Sequence, residues 1–210
     1  MTIELLKEEK SVLAHSSKKF RKRSLNWKNL RQLMFRMIMN ARSMGKVTGI
    51  SKEFMERIML AVTSVNDCRY CSYFHTKVAI ESGCSDDEIR DILGGDFSCA
   101  DHEELPALAF AQHFAESHEK PSREALKQLI KIYGVEKSHQ IITACSMITM
   151  GNLFGNTIDA YIHRYHNILP EDGSPFLERL IYYLSAIPAQ KMEKSMRKHT
   201  QKQKNLILNS

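Results

Sequence analysis

Two cysteines and a histidine are the residues in this sequence whose types and spacing best suit chemistry. Cys68, Cys71 and His75 follow the pattern Cys-x-x-Cys-x-x-x-His. On a helix, residues three, four and seven apart lie on one face, so the two thiols and the imidazole would share one stripe. Two thiols at this spacing can form a disulfide with little rearrangement, and an imidazole one turn away can accept or return a proton. The pattern indicates thiol redox chemistry.

The residues directly before the pair indicate where its helix begins. Asn66 and Asp67 interrupt an apolar helical pattern, and Asp is a favoured N-cap residue. If Asp67 caps the helix, Cys68 and Cys71 lie in its first turn. Unpaired backbone N–H groups and the positive end of the helix dipole stabilise a thiolate at that place. We therefore expect a lowered thiol pKa and a reactive thiolate near neutral pH.

A carboxyl group on the preceding helix completes the candidate site. Glu56 lies ten residues before Asn66, and His75 lies nine residues after it. If the two helices fold back as an antiparallel hairpin, both side chains lie about 14 Å from the turn. The stretch between Arg57 and Asp67 carries no charge, which indicates burial. An acid at the edge of this stretch could orient His75 and act as the terminal base of a proton path.

Helices must position these side chains, because apolar residues recur every three to four positions almost throughout the chain. No segment shows the alternation of a strand, and nine Gly and five Pro are too few for a turn-rich all-β fold. We therefore expect an all-α fold. The predicted helices run from Leu30 to near Gly45, from an N-cap at Ser51 to about Val65, from Cys68 to about Ser82, and from Ser85 to Gly94, where Ser85 and Glu88 form a capping box. Further helices are expected at 101–118, at 122–133, ending at Gly134, and at 136–167, and Ser174 and Pro175 open another.

Composition places the chain among ordinary globular proteins. Its 210 residues are 43% hydrophobic and 26% charged, which suits one domain with a real core and excludes disorder for its body. Five irregularly spaced Cys do not suggest a secreted disulfide framework, and no apolar segment follows Met1, so we expect a cytoplasmic protein. The uncharged stretch 138–158 is long enough to cross a membrane but too polar, and predicts a buried helix and no membrane contact.

Charge divides the chain into three predicted regions. Residues 1–46 carry twelve Lys and Arg against three Glu and predict a basic, helical N-terminal extension. Residues 47–167 form the expected core with the CxxC motif, and residues 168–210 are expected to form a helix and a basic tail. The densest basic run is Lys18 to Arg23. No nucleic-acid-binding module accompanies it, so we do not expect a nucleic-acid partner.

Other uses of the same residues stay open at this point. Cys68, Cys71 and His75 could be three ligands of a structural zinc ion, with Cys84 as a fourth, although no second CxxC is present. A thioredoxin-like site requires a βαβ unit, and haem attachment requires a histidine where Ser72 stands. The remaining alternative is a non-catalytic oligomeric module in which the dithiol is incidental.

The segment from Ile50 to His75 resembles the AhpD-like alkylhydroperoxidase branch of the carboxymuconolactone decarboxylase family. That branch has the pattern Glu, eleven residues, Cys-x-x-Cys, three residues, His, and every element is present here in register. The resemblance continues through the following helices, to about residue 165. It implies an AhpD-like helical bundle with N-terminal and C-terminal helical extensions, and a homo-oligomer.

The resemblance also implies a reaction and a role for each residue. Cys71 would attack the peroxide oxygen and become a sulfenic acid, and Cys68 would resolve it as a Cys68–Cys71 disulfide. Glu56 and His75 would form the proton relay. A dithiol, or a thioredoxin-type or lipoyl-type protein, would then reduce the disulfide. No cofactor or metal beyond this redox-active disulfide is expected.

One departure from the family pattern affects the expected activity. The best-known members carry a histidine between the two cysteines, where Tyr70 stands in this sequence. A tyrosine has a high pKa and does not shuttle protons easily at neutral pH. Either the relay is shorter here or disulfide exchange outweighs peroxide turnover. A non-redox activity like that of the decarboxylase branch is a further alternative, but that branch lacks the CxxC motif.

Overall fold

A computed structural model describes residues 20–44, 49–185 and 194. Within these ranges the protein is helical, and the sole strand-like feature is an isolated bridge between Phe20 and Pro170. The predicted all-α fold is therefore confirmed for the described residues. The rest of the predicted basic extension and the basic tail lie outside them. The helices are α1 (Trp27–Met44), α2 (Lys52–Asn66), α3 (Arg69–Ser82), α4 (Asp86–Gly94), α5 (Leu105–Glu116), α6 (Arg123–Tyr165) and α7 (residues 175–185).

Serine caps start two of the helices as the sequence predicts. The Ser51 hydroxyl accepts the N–H of Phe54 at 3.1 Å at the start of α2, and the Ser85 hydroxyl accepts the N–H of Glu88 at 3.2 Å at the start of α4. The carboxylate of Glu88, expected to complete a capping box, instead accepts a hydrogen bond from Arg57 at 2.5 Å. That bond ties α4 to α2.

The long helix α6 contains the break that the sequence predicts at Gly134. This glycine has φ 73° and ψ 171°, a combination that essentially only glycine adopts, and the helix changes direction there. The predicted helices 122–133 and 136–167 are thus the two halves of α6. By length and composition α6 could cross a membrane, but 72% of its most apolar 18 residues are buried inside the protein. This burial is typical of a core helix.

The central helix is α2, which packs against α3, α4, α5 and α6. Its residues Ile58, Leu60, Ala61 and Val62 are all fully buried. Because these four residues cover more than one face, α2 is enclosed on several sides, which explains its long uncharged stretch. This central position fixes the end of α2, where the chain turns into α3.

A second apolar cluster surrounds the start of α3. It contains Cys68 and Tyr70 together with buried residues from α6, from α1 and the segment before it, and from α7. Its other members are Leu25, Leu33, Leu153, Ile158, Ile162, Leu177, Ile181 and Tyr182. The helices outside the predicted core therefore contribute directly to the packing around the first cysteine.

Candidate active site

The turn between α2 and α3 places the first cysteine. Asp67 adopts a left-handed conformation, with φ 51° and ψ 46°, and its backbone N–H bonds to the carbonyl of Thr63 at 2.8 Å. Asp67 therefore ends α2. The sequence predicts that it caps α3, and it does not. Cys68, with φ −90° and ψ 104°, is the N-cap of α3. The predicted cap was wrong by one residue, because Asp tolerates both the cap and the left-handed position.

The two thiols form a hydrogen-bonded pair at the start of α3. Both cysteines are free thiols; Cys68 is 1% exposed, whereas Cys71 is partly exposed. The Cys68 sulfur accepts the backbone N–H of Cys71 at 3.4 Å. A hydrogen bond from the Cys71 thiol, helped by this N–H, lowers the pKa of Cys68 against the opposing effect of burial. Donation of this S–H, together with burial, raises the pKa of Cys71.

The carboxylate and the imidazole meet as the equal distances from the turn predict. His75 Nδ1 lies 2.7 Å from Glu56 Oε2. Glu56 is buried on α2, and the ring of Phe74 packs edge-on against the His75 ring. When Nδ1 carries a proton it donates it to Glu56, which leaves Nε2 of the ring as a proton acceptor. The pair can therefore hold an imidazole in one orientation and one tautomer.

The four predicted side chains thus form two contacts. Cys68 pairs with Cys71, and Glu56 pairs with His75. Cys71 and His75 lie one helical turn apart on α3, but no hydrogen bond joins His75 to either thiol in the part of the chain that the structure describes. The arrangement provides a stabilised thiolate and, one turn away, an oriented proton acceptor.

The zinc alternative requires these side chains to converge on one point. Among the described residues, no three His, Cys, Asp or Glu side chains are placed so that they could hold a metal ion. Cys84 belongs to the main apolar core around α2, where burial raises the pKa of its thiol against the opposing effect of Arg57. Cys68 lies in the second apolar cluster, beside α7. The residues present do not form the ligand set that a zinc module needs.

The sequence model of the carboxymuconolactone decarboxylase family matches residues 31–113. We call residues 31–113 the family segment. The family segment begins in α1, ends in α5 and includes Glu56, Cys68, Cys71 and His75, but it covers less than half of the chain. No curated protein and no solved structure gave a significant match.

Two glycines of α6, beyond the carboxymuconolactone decarboxylase family segment, form the surface behind the two sulfurs. A Cβ atom on Gly155 would lie 2.5 Å from the Cys68 sulfur, and one on Gly151 would lie 3.7 Å from the Cys71 sulfur. The GxxxG spacing on its own indicates close helix packing. The structure shows that the closely packed groups are the two thiols.

Two asparagines follow these glycines and hold the turn before the two cysteines. Asn156 Nδ2 donates to the carbonyl of Asn66 at 2.7 Å, and Asn152 Oδ1 accepts the Thr63 hydroxyl at 3.1 Å. Both asparagine side chains are buried in α6. The sequence reasoning missed them. The available signal was the repeated Gly-Asn, four residues apart, in the uncharged stretch 138–158, because residues at that spacing share one face.

The surroundings of Tyr70, which stands between the two cysteines, do not favour a proton-carrying role. Its ring is buried beside Gly155, and its hydroxyl accepts a hydrogen bond from Arg69 at 2.8 Å. Arg69 also donates to Asp159 at 2.8 Å and lies over the Tyr70 ring. The carboxylate of Asp159 acts to raise the pKa of Cys68. Pairing with Arg69 offsets part of that charge.

Proposed function

We propose that this protein is a thiol-dependent peroxidase of the AhpD-like branch, which reduces hydroperoxides through the Cys68–Cys71 pair. The observation that carries the proposal is the Cys68 sulfur at the N-cap of α3, where it accepts the N–H of Cys71. A sulfur in this position is stabilised as a thiolate. The proposal includes a cytoplasmic location and no cofactor other than the redox-active disulfide.

The first step is the attack of Cys71 on the peroxide. Cys68 carries the lower thiol pKa but is buried, whereas Cys71 is the partly exposed residue of the two. The S–H proton of Cys71 moves to the Cys68 thiolate as the Cys71 sulfur bonds to the outer peroxide oxygen. The O–O bond breaks, Cys71 becomes a sulfenic acid, and the alkoxide leaves and takes up a proton that comes from solvent through the His75–Glu56 pair.

The second step closes the disulfide. The Cys68 sulfur attacks the sulfur of the Cys71 sulfenic acid, the S–O bond breaks, and the oxygen leaves as water with the proton that Cys68 held. Two thiols have then lost two electrons, and the hydroperoxide has become an alcohol and water. A dithiol donor, or a thioredoxin-type or lipoyl-type protein, returns the two electrons by thiol–disulfide exchange.

Peroxide-induced closure of this disulfide tests the proposal. After one equivalent of an alkyl hydroperoxide, mass spectrometry of the digested protein should show a peptide linked through Cys68 and Cys71. The rate should stay nearly constant as pH falls through the range where an ordinary thiol titrates, and should drop only when pH falls through the lowered pKa of Cys68. No linked peptide, or a linkage through the exposed Cys99, would contradict the proposal.

Glu56→Gln should slow peroxide reduction about 10- to 100-fold, the usual effect of removing a carboxylate that orients a functional histidine. The amide keeps the size of the side chain but removes the charge that holds the His75 ring. Steady-state turnover with an excess of dithiol measures the effect. Glu81→Gln, an exposed acid on α3, is the matched control and should leave turnover unchanged. Equal turnover in Glu56→Gln and the unmodified protein would remove the pair from the mechanism.

Disulfide exchange is the second candidate function, and the buried Tyr70 favours it. A site with no proton carrier between its cysteines is less suited to protonating a leaving alkoxide, whereas exchange with a disulfide needs only a stabilised thiolate. Comparing the rates of oxidation of the reduced protein by an alkyl hydroperoxide and by a small-molecule disulfide separates the two candidates. Faster reaction with the hydroperoxide supports the peroxidase.

We propose in addition that the protein is a homo-oligomer. Four apolar side chains of α1 are exposed, namely Met34, Phe35, Ile38 and Met39. Leu180, Tyr183 and Leu184 of α7 are exposed as well. Monomeric proteins rarely leave contiguous apolar surface of this kind in water, and a second copy would cover it.

A further inference from the structure

Lys22, in the part of the N-terminal basic run that the structure describes, lies against the turn that precedes the first cysteine. Lys22 Nζ donates to the backbone carbonyl of Asp67 at 2.8 Å and lies 3.1 Å from the carboxylate of the same residue. The Lys22 side chain is 26% exposed, whereas that of its neighbour Arg21 is 73% exposed. Lys22 is therefore packed against the turn and Arg21 is directed to solvent.

The segment that carries Lys22 is anchored on both sides of it. Phe20 is buried against the ring of His163, and Arg23 forms an ion pair with the buried Glu119 at 2.8 Å. Further along, the N–H of Leu25 donates to the Thr157 hydroxyl of α6 at 2.8 Å. Lys22 therefore contacts Asp67 from a segment that is held in place on both sides.

Asp67 is the residue in this turn whose backbone conformation needs support from other parts of the chain. A left-handed conformation is unfavourable for a residue with a Cβ atom, and Asp67 adopts it directly before the N-cap. Two consecutive carbonyl groups are fixed from different elements: Asn156 holds that of Asn66, and Lys22 holds that of Asp67. The peptide group that Lys22 holds is the one that joins Asp67 to Cys68.

We propose that Lys22 is a positioning residue for the redox pair: it fixes Asp67 so that the Cys68 sulfur stays on the N–H of Cys71. Its importance for turnover rests on the proposed function, but its effect on the thiols does not. Lys22 lies outside the family segment, so the proposed contact belongs to this chain's own N-terminal region.

The charges around Cys68 allow the effect of Lys22 to be separated from a general charge effect. Asp159 of α6, paired with Arg69 of α3, acts on the Cys68 thiol. Asp67 carries the carboxylate that Lys22 neutralises. Replacing Arg21 removes the same formal charge from the same segment and leaves the contacts of Lys22 with Asp67 in place, since the ion pair of Arg21 within the described ranges is with the exposed Glu171, at 3.9 Å.

The test compares Lys22→Met with Arg21→Met and Lys22→Arg. Thiolate formation is followed by ultraviolet absorbance against pH, as the difference between each protein and its Cys68→Ser counterpart. The reduction potential of the pair is measured by equilibration with a dithiol buffer. Lys22→Met should weaken the Cys68 thiolate about tenfold, which is one pH unit in its titration. The reduced form loses the same stabilisation, so the potential should become more negative by about 30 mV.

Arg21→Met should leave both quantities unchanged, and Lys22→Arg should restore them. Unchanged titration and potential in Lys22→Met would overturn the proposal, and so would equal shifts in Lys22→Met and Arg21→Met. A protein that shows the Lys22 effect but forms no disulfide with peroxide would instead contradict the proposed function. The two failures are therefore distinguishable.

Discussion

Cys71→Ser is expected to abolish hydroperoxide reduction, because it removes the sulfur that we propose attacks the peroxide. Serine keeps a donor for the Cys68 sulfur, so the thiolate at the N-cap should survive, enclosed and unreactive. Cys68→Ser should behave differently. It leaves the attacking sulfur in place and should consume about one equivalent of peroxide, leaving a Cys71 sulfenic acid that a dimedone reagent labels.

Stopped-flow consumption of peroxide and mass spectrometry of the labelled peptide distinguish these outcomes. Cys99→Ser is the control, since it removes an exposed thiol away from the pair and should retain full turnover. Dimedone labelling of Cys68 in Cys71→Ser would show that the roles of the two cysteines are reversed. Full turnover in Cys71→Ser would exclude thiol peroxidase chemistry at this site.

Gly155→Ala is expected to disable the redox pair and to destabilise the protein by about 1 to 3 kcal/mol, as overpacked sites usually do. The added methyl group would lie 2.5 Å from the Cys68 sulfur and 3.3 Å from the Tyr70 ring. Either the cysteine side chain rotates off the N–H of Cys71 or the start of α3 moves. Both changes remove the hydrogen bonds that stabilise the thiolate, so disulfide formation should slow in parallel with the loss of stability.

Gly151→Ala is the matched control on the same helix. Its methyl group would lie 3.7 Å from the Cys71 sulfur, an ordinary contact, and alanine favours a helix over glycine by about 1 kcal/mol. We expect its stability in urea to be unchanged or higher. Adding Cys68→Ala to Gly155→Ala should recover part of the lost stability, because the sulfur that clashes is gone. A Gly155→Ala protein as stable as Gly151→Ala would show that the close contact is not restrictive.

Local patterns were enough to predict most of the fold. The serine caps, the Gly134 break and the helical periodicity are set by neighbours in sequence, and the structure contains them as expected. The Glu56–His75 contact could also be predicted, since two helices joined by a tight turn bring residues at equal depth together. These features depend on short sequence distances.

The remainder of the site depends on contacts between distant parts of the chain, which local patterns do not encode. The N-cap is Cys68 and not Asp67, and the turn before it accepts hydrogen bonds from Lys22 and Asn156, which are distant in sequence. In the same way, Gly155 has no local signature beyond its spacing. Its role is visible only once α6 is placed against α3.

The apolar cluster around Cys68 includes residues that precede the redox pair in sequence, Leu25 and Leu33, and residues from α7, Leu177 and Ile181. Within this cluster Cys68 is only 1% exposed, so solvent hardly reaches it. A fragment without residues 20–30 and 174–185 would lack Leu25, Leu177 and Ile181, and we expect Cys68 to be more accessible to solvent in it. With the proposed roles of the two cysteines, such exposure would let an oxidant react with either sulfur, so the flanking segments would contribute selectivity to the site as well as stability.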